Sequence, residues 1–461
     1  MQEQRSAKGG AVVVGDDDLT RAVQLDHAAQ RVQVRRAALA SAVGTTIEWY
    51  DFFLYNTAAA LIFGHVFFPA SSTYAGTMQS FATYAVGFAA RPVGAAIFGH
   101  WGDRIGRKAT LIVTLLVMGI SSAIVGILPG TATIGFAAPL ILVLMRLVQG
   151  IAIGGEWSGS VLLSMEWGDQ DRRGLLASSA QVGVPVGLVL GTGGMTLLSA
   201  LLPTAAFNSW GWRVPFLASL ILVAIGLAIR LKILETPMFA NLVVERRLVR
   251  TPVTEVIRSH WREILLSAGT RFSEQLPFYL FTVFVLSYVK ARGFSSTFVL
   301  NAVLVGAVCE LVAIPLFSHL SDRVGRKRVY LVGAILMGVI AFPYFAILTH
   351  GGHALIFLTV VASLVLHAMQ YGPQAAMIGE SFPTHLRYGG AGLGYQLASV
   401  FAGGPAPLLA LWLLHNTGTP YSISVYILVA AIITVACVIA LPDRSRADIA
   451  DPTIYEGFRH G

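Results

Sequence analysis

Two carboxylates close together in an apolar segment are the residues of this sequence that most suggest chemistry. Glu48 and Asp51 lie in GTTIEWYDFFLY (residues 44–55), three positions apart and therefore on overlapping faces of a helix. Other charged residues interrupt similar apolar segments elsewhere (Glu156, Glu274, Glu310, Arg91, Arg146 and Arg271). An arginine stays charged, whereas a buried carboxylate can become neutral by binding a proton. A carboxylate that faces an arginine is therefore a candidate proton switch.

The composition indicates a membrane protein with many spans. The chain has 461 residues, of which 55% are hydrophobic and only 12% are charged, whereas soluble domains are about a quarter charged. Apolar runs of about 20 residues, the length that crosses a hydrocarbon core, recur along the chain. Residues 1–36 are polar and unlike a cleavable signal peptide, so the first apolar segment is expected to direct insertion. The two cysteines predict neither a disulfide framework nor a zinc site.

Twelve apolar segments can be delimited along the chain. In order, they are residues 37–61, 76–100, 109–128, 138–165, 175–201, 214–232, 264–288, 297–318, 329–348, 354–380, 390–413 and 421–441. The sequence therefore predicts an all-α membrane protein with twelve transmembrane helices in two six-helix, pseudo-symmetric halves. The expected organisation is a mobile cytoplasmic tail at 1–36, a first half at 37–232, a cytoplasmic linker at 233–263, a second half at 264–441 and a mobile cytoplasmic tail at 442–461.

Basic residues predict which side of the membrane each loop faces. Most of the 32 Lys and Arg lie in the tails and in the loops after even-numbered spans, and only Arg213, Lys290 and Arg292 lie in the other loops. Because positively charged loops stay in the cytoplasm, both termini are expected there, in a protein of the cell inner membrane. The net charge of +8 is thus a topology signal. Nucleic-acid binding is not predicted, since the basic loops are short and alternate with spans.

An internal repeat supports the two halves. GHWGDRIGRKATL (residues 99–111) recurs as SHLSDRVGRKRVYL (residues 318–331), in each case after an even-numbered span. A weaker pair places Glu166 before Arg172 and Arg173, and Glu380 before Arg387. Two homologous halves around a site at the membrane midplane are typical of an alternating-access transporter.

These motifs resemble a known superfamily. D-R-x-G-R-K between spans 2 and 3, together with LMRLVQGIAIGGE (residues 144–156), looks like the signature of the major facilitator superfamily. Within it, EWYDFFLY in span 1, FAARPVGAAIFGHWGDRIGRK in span 2, RFSEQLPFYLFTVFVLSY in span 7 and ETPMF after span 6 resemble the metabolite:proton symporter family. That family includes permeases for shikimate, 2-oxoglutarate, citrate and proline/betaine. Asn56 departs from its pattern, which usually has glycine there.

The resemblance implies uptake of a small organic solute, driven by a proton gradient, through a cavity lined by spans 1, 4, 7 and 10. We expect Glu48 or Asp51 to bind the proton and Arg146 to be the counter-charge; a structural ion pair between spans 1 and 4 is the alternative. The expected substrate-binding residues are Tyr55, Arg146, Gln149, Arg271, Glu274, Tyr279, Gln370, Tyr371 and Gln374. Arg271 and Glu274, three residues apart, could instead only neutralise each other.

The repeated loops are expected to form a gate at the cytoplasmic end, where their charges can pair in one state and separate in the other. The expected gating residues are Asp103, Arg104, Gly106, Arg107, Lys108, Glu156, Glu166, Arg172, Asp322, Arg323, Gly325, Arg326, Lys327, Glu380 and Arg387. For Glu156 a gating or packing role is favoured over contact with the substrate. His367 is interpreted as a hydrogen-bonded buried imidazole rather than a proton relay, and Glu310 has no evident partner.

Arginines in the spans favour a substrate with a carboxylate, because a guanidinium binds that group through two hydrogen bonds. We therefore expect an organic acid, with a proline- or betaine-like osmolyte as the first alternative and an uncoupled uniporter as the second. The expected partners are the solute, protons and the lipid bilayer, and the protein is expected to function as a monomer. The sequence predicts no cofactor, no metal site and no enzymatic activity, since it shows no nucleotide loop, metal cluster or nucleophile triad.

Overall fold

The protein is a bundle of long helices. The structure, a computed structural model, describes residues 25–69, 73–245 and 247–458, and every regular element in these ranges is helical. The long helices of the first half are α1 (His27–Ala58), α2 (Thr73–Ile105), α3 (Arg107–Ile127), α4 (Ala137–Met165), α5 (Arg173–Leu201) and α6 (Arg213–Leu231). Those of the second half are α7 (Trp261–Lys290), α8 (Ser296–Val324), α9 (Arg326–His350), α10 (His353–Gly379), α11 (Arg387–Thr417) and α12 (Tyr421–Ala440).

Length and composition suit these helices to a membrane. Ten of them are apolar enough to cross one, and α1 and α2, which contain Glu48, Asp51 and Arg91, complete the twelve. Large apolar side chains remain exposed on the outside of the bundle; Val312 and Ile221, for example, are 71% and 66% exposed. In a bilayer such a surface contacts lipid chains. The prediction of an all-α fold with twelve transmembrane helices is confirmed.

Several boundaries differ from those that the sequence predicts. Helix α1 begins at His27, where the side chain of Asp26 accepts a hydrogen bond from Ala29 N at 2.7 Å, so residues 27–36 are helical and not part of a tail. Residues 1–24 of the predicted tail lie outside the described residues. The linker contains two short helices, Pro237–Val244 and Pro252–Ser259. These boundaries could not be predicted from hydropathy, because the residues there are polar. Hydropathy detects the apolar part of a helix and not its polar end.

The two halves meet along two related pairs of helices: α2 contacts α11, and α5 contacts α8. Within the first half, α1 packs along α5 and α2 packs along α4. Helix α1 continues directly into a π-helical turn at Ala59–Phe63, and α7 and α11 contain π-helical turns at Leu280–Phe284 and Ser399–Gly403. Such turns interrupt regular helices and are frequent at functional sites.

Two glycines make the tight turns of the repeated loops. Gly106 joins α2 to α3 with φ of 111°, and Gly325 joins α8 to α9 with φ of 103°. Only glycine adopts this backbone region without strain. The same turn at the same place in each half explains why the glycine of D-R-x-G-R-K occurs in both copies.

Close approach of α2 and α4 depends on glycines. A Cβ atom on Gly154 would lie 2.2 Å from the backbone oxygen of Arg91, and one on Gly150 would lie 2.3 Å from that of Gly87. Small residues four positions apart allow two membrane helices to touch along their backbones.

We predict that Gly154→Leu lowers the melting temperature of the purified protein in detergent, because the added side chain collides with backbone and overpacking costs about 1–3 kcal/mol. Gly193→Leu is the matched control, since nothing lies within 4 Å of a Cβ atom there. Equal melting temperatures for the two variants would contradict the tight α2–α4 contact.

Candidate functional site

Asp51 and Arg146 are connected through two polar side chains. Asp51, on α1, is 1% exposed and accepts a hydrogen bond from the hydroxyl of Ser122, on α3. The same hydroxyl accepts a bond from Gln149 Nε2 at 2.9 Å, and Gln149 Oε1 accepts one from Arg146 Nη1 at 3.4 Å. Ser122 was missed by the sequence analysis, since a serine in an apolar helix carries no distinguishing signal. Asp51, Arg146 and Gln149, predicted as site residues, thus lie together.

Aromatic rings surround the arginine of α4. The guanidinium carbon of Arg146 lies 4.3 Å from the ring centre of Tyr55 and 5.6 Å from that of Phe52. The Tyr55 hydroxyl lies 2.7 Å from Thr83 Oγ1. Stacking on a ring stabilises a guanidinium in a desolvated place and leaves its edges able to bind a planar anion.

Glu48 faces a different arginine. It is 2% exposed and interacts electrostatically with Arg91 of α2 and Arg230 of α6. Arg91 is equally buried, and its guanidinium carbon lies 4.4 Å from the ring centre of Phe88 and 5.1 Å from that of Phe52. In the sequence, Arg91 is a charge within a span and has no evident role. Its position beside the α1 carboxylates makes it a site candidate.

Each α1 carboxylate keeps one oxygen open. Glu48 Oε2 and Asp51 Oδ2 have no hydrogen-bond partner among the described residues, and the same is true of Arg91 Nε. An unpartnered carboxylate oxygen in a buried place is a natural position for a proton.

Glu156 is part of an ion pair inside the first half. Its carboxylate binds both terminal nitrogens of Arg230 and accepts hydrogen bonds from Thr114 Oγ1 and Ser160 Oγ, both at 2.8 Å. These partners lie on α6, α3 and α4 itself. Because none of them belongs to the second half, the contacts favour the packing role of Glu156 over gating.

The second half presents its own charged pair. Arg271 Nε lies 3.3 Å from Glu274 Oε2, and the Arg271 guanidinium carbon lies 3.3 Å from the ring centre of Tyr395. Gln374, on α10, donates to Glu274 Oε2 at 2.9 Å and to the Tyr330 hydroxyl at 2.9 Å. Arg271, Glu274 and Gln374 therefore meet, as a common site requires, although Arg271 and Glu274 also neutralise each other.

The centre of the bundle is nearly closed. Arg271, Glu274 and the predicted residues Tyr279 and Tyr371 line a space of about 10 Å³, together with Trp49 from the opposite half. That volume is about the size of one water molecule. Gln370 does not line this space, because its side chain is hydrogen-bonded to Ser273 of α7.

A larger cavity lies between the halves, towards the end opposite the repeated loops. It has a volume of about 460 Å³ and is lined by residues of α1, α5, α7 and α8, including Asn56, Thr192, Thr282 and Lys290. Asn56, the residue that departs from the family pattern, presents an Oδ1 atom without a hydrogen-bond partner among the described residues. The cavity leads towards the closed centre, since Phe53 of α1 lines it and packs against Trp49 and Phe278.

At the end with the repeated loops, the halves are joined by carboxylates on helix N-termini. Asp103 accepts hydrogen bonds from Tyr388 N at 3.0 Å and Gly389 N at 2.8 Å, at the start of α11. Asp322 does the same with Gly174 N at 2.8 Å and Leu175 N at 2.9 Å, at the start of α5. A helix N-terminus binds anions through its free N–H groups and its dipole. Each half therefore caps a helix of the other.

Buried ion pairs flank both caps. Glu166 lies 3.4 Å from Arg107 and 3.3 Å from Arg387, and in the second copy Glu380 lies 2.7 Å from Arg326 and 3.4 Å from Arg173. Arg172 was predicted as a gating residue, but it is exposed, and Arg173 pairs with Glu380 instead. The reason is that α5 begins at Arg173, so its predecessor lies in the preceding turn.

The remaining basic residues of the two loops differ in role. Arg104 and Arg323, predicted to gate, are exposed. Lys327 donates to the carbonyl oxygens of Ile439 at 3.0 Å and Leu441 at 2.6 Å, which attaches α9 to the end of α12. Exposed arginines at this end fit a topological role.

The ETPMF segment attaches the linker to this network. Glu235 accepts a hydrogen bond from Lys108 N at 3.2 Å, and Thr236 Oγ1 donates to Glu166 Oε2 at 2.6 Å. Burial raises the pKa of Glu235, and hydrogen bonds from backbone N–H groups oppose that rise. The motif thus holds the linker against the first repeated loop.

The C-terminal segment is packed, contrary to the predicted mobile tail. Arg173 donates to Ala447 O at 3.0 Å, and Arg387 donates to Ile449 O at 2.7 Å. Tyr455 is 4% exposed and donates to Glu380 O at 3.3 Å. Backbone carbonyl groups of this polar segment accept hydrogen bonds from buried arginines of both halves. Hydropathy does not predict such contacts.

Comparisons with known proteins agree with this architecture. Residues 37–251 match the model of the family "Sugar (and other) transporter", and residues 269–454 match that of the major facilitator superfamily. The chain is 39% identical to the inner membrane metabolite transport protein YhjE of Escherichia coli K12, over 86% of this chain and 92% of that protein. It is 40% identical to the shikimate transporter of the same organism (90% and 96%) and 30% identical to the proline/betaine transporter of Salmonella typhimurium (91% and 86%).

A solved structure shows the same fold. The proton:xylose symporter XylE, bound to 6-bromo-6-deoxy-D-glucose, superposes with a TM-score of 0.77 at 18% identity, over 93% of this chain and 100% of that one. The family resemblance of the sequence motifs is confirmed, and these proteins are transporters and not enzymes. The chain is thus a multi-pass membrane transporter that belongs to the major facilitator superfamily, in the group that contains the shikimate and proline/betaine transporters.

Proposed function

We propose that the protein is a proton-coupled symporter that takes up a small organic acid across the inner membrane by alternating access, as a monomer with both termini in the cytoplasm. One observation supports this most strongly. Two buried carboxylates of α1, each with an open oxygen, lie near buried arginines of the first half. Ionisable groups inside a membrane are costly, so a cluster of them within the spans indicates a functional site.

Asp51 is the proposed proton carrier of the first half. Its carboxylate reaches Arg146 through Ser122 and Gln149. Binding of a proton at Asp51 would cancel the negative charge that faces Arg146 and leave the arginine able to hold an anion. Glu48, on the overlapping face of α1, interacts electrostatically with Arg91 and is the second candidate carrier.

The aromatic rings near the site favour an acid over a quaternary ammonium compound. Arg91 lies over Phe88 and Phe52, and Arg146 lies over Tyr55, so the protein's own cations already occupy ring faces that would bind a ligand cation. Similarity to a shikimate transporter supports a carboxylate substrate. A proline- or betaine-like solute, suggested by the proline/betaine transporter, remains the alternative.

The closed and open ends of the structure support alternating access. The end with the repeated loops is sealed by Asp103 and Asp322, while a cavity of about 460 Å³ lies between the halves towards the other end. In the proposed cycle, proton and solute enter through this cavity, the halves rock, and both caps break to release proton and solute into the cytoplasm. Asn56 would then be among the first side chains that a solute meets.

We predict that proteoliposomes with the purified protein accumulate one carboxylic acid from a radiolabelled panel of shikimate, 2-oxoglutarate, citrate, proline and glycine betaine. Accumulation should require an imposed inward proton gradient. Uptake of proline or glycine betaine instead would support the osmolyte alternative. Saturable uptake that ignores the gradient would contradict coupling and support a uniporter.

We predict that Asp51→Asn abolishes gradient-driven accumulation and leaves substrate exchange, because the amide keeps the hydrogen bond but binds no proton. Glu48→Gln tests the second pair in the same way. The matched control is Asp171→Asn, at an exposed position of the same residue type. Wild-type accumulation in both the Asp51 and Glu48 variants would contradict the assignment of coupling to α1.

We predict that Asp103→Asn opens the loop-bearing end more often, because a weaker helix cap costs about 0.5–2 kcal/mol and would shift the gate equilibrium several-fold. The measurement is the rate at which an impermeant maleimide modifies Ser158→Cys, a buried position on α4, with Cys309→Ser and Cys437→Ser in the background. The control is Asp169→Asn, in the nearby loop. An unchanged rate in the Asp103 variant would contradict a gating role for the cap.

A further inference from the structure

His367 lies between two carboxylates from two other helices. Its Nδ1 is 2.7 Å from Glu310 Oε1, on α8, and its Nε2 is 3.3 Å from Glu274 Oε1, on α7. All three side chains are almost completely buried. Glu310 has no evident partner in the sequence, and His367 was expected to be a hydrogen-bonded imidazole. The structure supplies two acidic partners for one ring.

The groups that face this histidine come from all the neighbouring helices. From α7 these are Glu274 and, through it, Arg271, which lies 3.3 Å away from Glu274. Helix α8 contributes Glu310; helix α10 itself contributes Tyr371, whose ring centre is 5.1 Å from that of His367. Two further tyrosines contact the neighbours of this cluster. Tyr330 of α9 contacts Gln374, and Tyr395 of α11 contacts Arg271. The charged members of the cluster are thus Arg271, Glu274, His367 and Glu310.

If both glutamates are ionised, hydrogen bonding and charge favour a protonated ring. A neutral imidazole has one N–H group, so it could donate to only one of the two carboxylates, and the other would face a lone pair. An imidazolium donates from both nitrogens. With His367 protonated, two positive and two negative charges make the cluster neutral. Without that proton a net negative charge would remain buried inside the membrane, which is unfavourable.

The cluster also reaches the centre of the transporter. Arg271, Glu274 and His367 all line the narrow central space, opposite Trp49 of the first half. An anion that enters this space can bind the guanidinium of Arg271, which lines it. It would compete with Glu274, which now holds that guanidinium at 3.3 Å.

We propose that Arg271, Glu274, His367 and Glu310 form a second proton-binding centre, in the C-terminal half, which takes up one proton when a monoanionic carboxylate binds Arg271. The substrate side of this inference rests on the proposed function. When the substrate carboxylate displaces Glu274 from Arg271, a proton from a hydronium ion in the cavity forms an O–H bond on Glu274. The charge of the cluster and its ligand then stays at zero. When the anion leaves, Glu274 returns the proton to water and pairs with Arg271 again.

The first test needs no substrate. Solid-state ¹⁵N NMR of the full chain, labelled at its 11 histidines and reconstituted in lipid at neutral pH, distinguishes imidazolium from neutral imidazole. The signal of His367 is the one that is missing in His367→Gln and shifted in Glu310→Gln. We expect an imidazolium. A neutral ring at this position would overturn the proposal.

The second test separates the centre from the proposed function. In proteoliposomes with radiolabelled shikimate, His367→Gln and Glu310→Gln should lower gradient-driven accumulation about tenfold or more, while equilibrium exchange stays within about threefold of wild type. His319→Gln is the matched control, a histidine on α8 outside the cluster. Wild-type accumulation in both cluster variants would overturn the proposal but leave the proposed function intact. A wild-type protein whose shikimate uptake ignores the gradient would contradict the function, and the NMR measurement would still decide the charge state.

Discussion

Charge inside a membrane-spanning bundle has to be compensated, and this constraint organises the structure. An uncompensated charge in hydrocarbon is unfavourable by several kcal/mol, so charged groups face one another or a polar space. In the described residues Glu156 pairs with Arg230, Glu274 pairs with Arg271, and the arginines near α1 lie over aromatic rings. These contacts fix which helices are neighbours. They also determine where a proton or an anion can enter without leaving a buried charge behind.

Two equivalent sets of compensated charges close one end of the molecule. Asp103 and Asp322 each occupy a helix N-terminus of the other half, and Glu166 and Glu380 each hold two arginines. The duplication follows from the sequence repeat. If the halves separate, each aspartate loses its helix N-terminus, and Glu166 and Glu380 each lose one of their two arginines. The simultaneous loss of these contacts suits a two-state gate. The ETPMF segment and the packed C-terminal segment add contacts to the same network.

Much of this architecture follows from sequence, because hydropathy and the repeat of D-R-x-G-R-K depend on local composition. They predict twelve spans, two halves and the positions of Asp103 and Asp322 in equivalent loops. Partners that lie far apart in the chain could not be predicted in this way. Ser122 beside Asp51, Arg230 on Glu156 and Glu310 on His367 depend on helix rotation and packing. Arg173 takes the place predicted for Arg172 for a similar reason. Helix α5 begins at Arg173, and a difference of one residue at the helix start decides which side chain faces the interface and which faces solvent.

The central claim is that a buried charge cluster couples an organic anion to a proton. The most direct measurement adds shikimate to the outside of proteoliposomes without an imposed gradient and follows the external pH in a weakly buffered medium. The account predicts that shikimate uptake makes the medium more alkaline, because protons leave the medium together with the anion, and that an uncoupler abolishes the pH change. Uptake of shikimate without any change in external pH would contradict it.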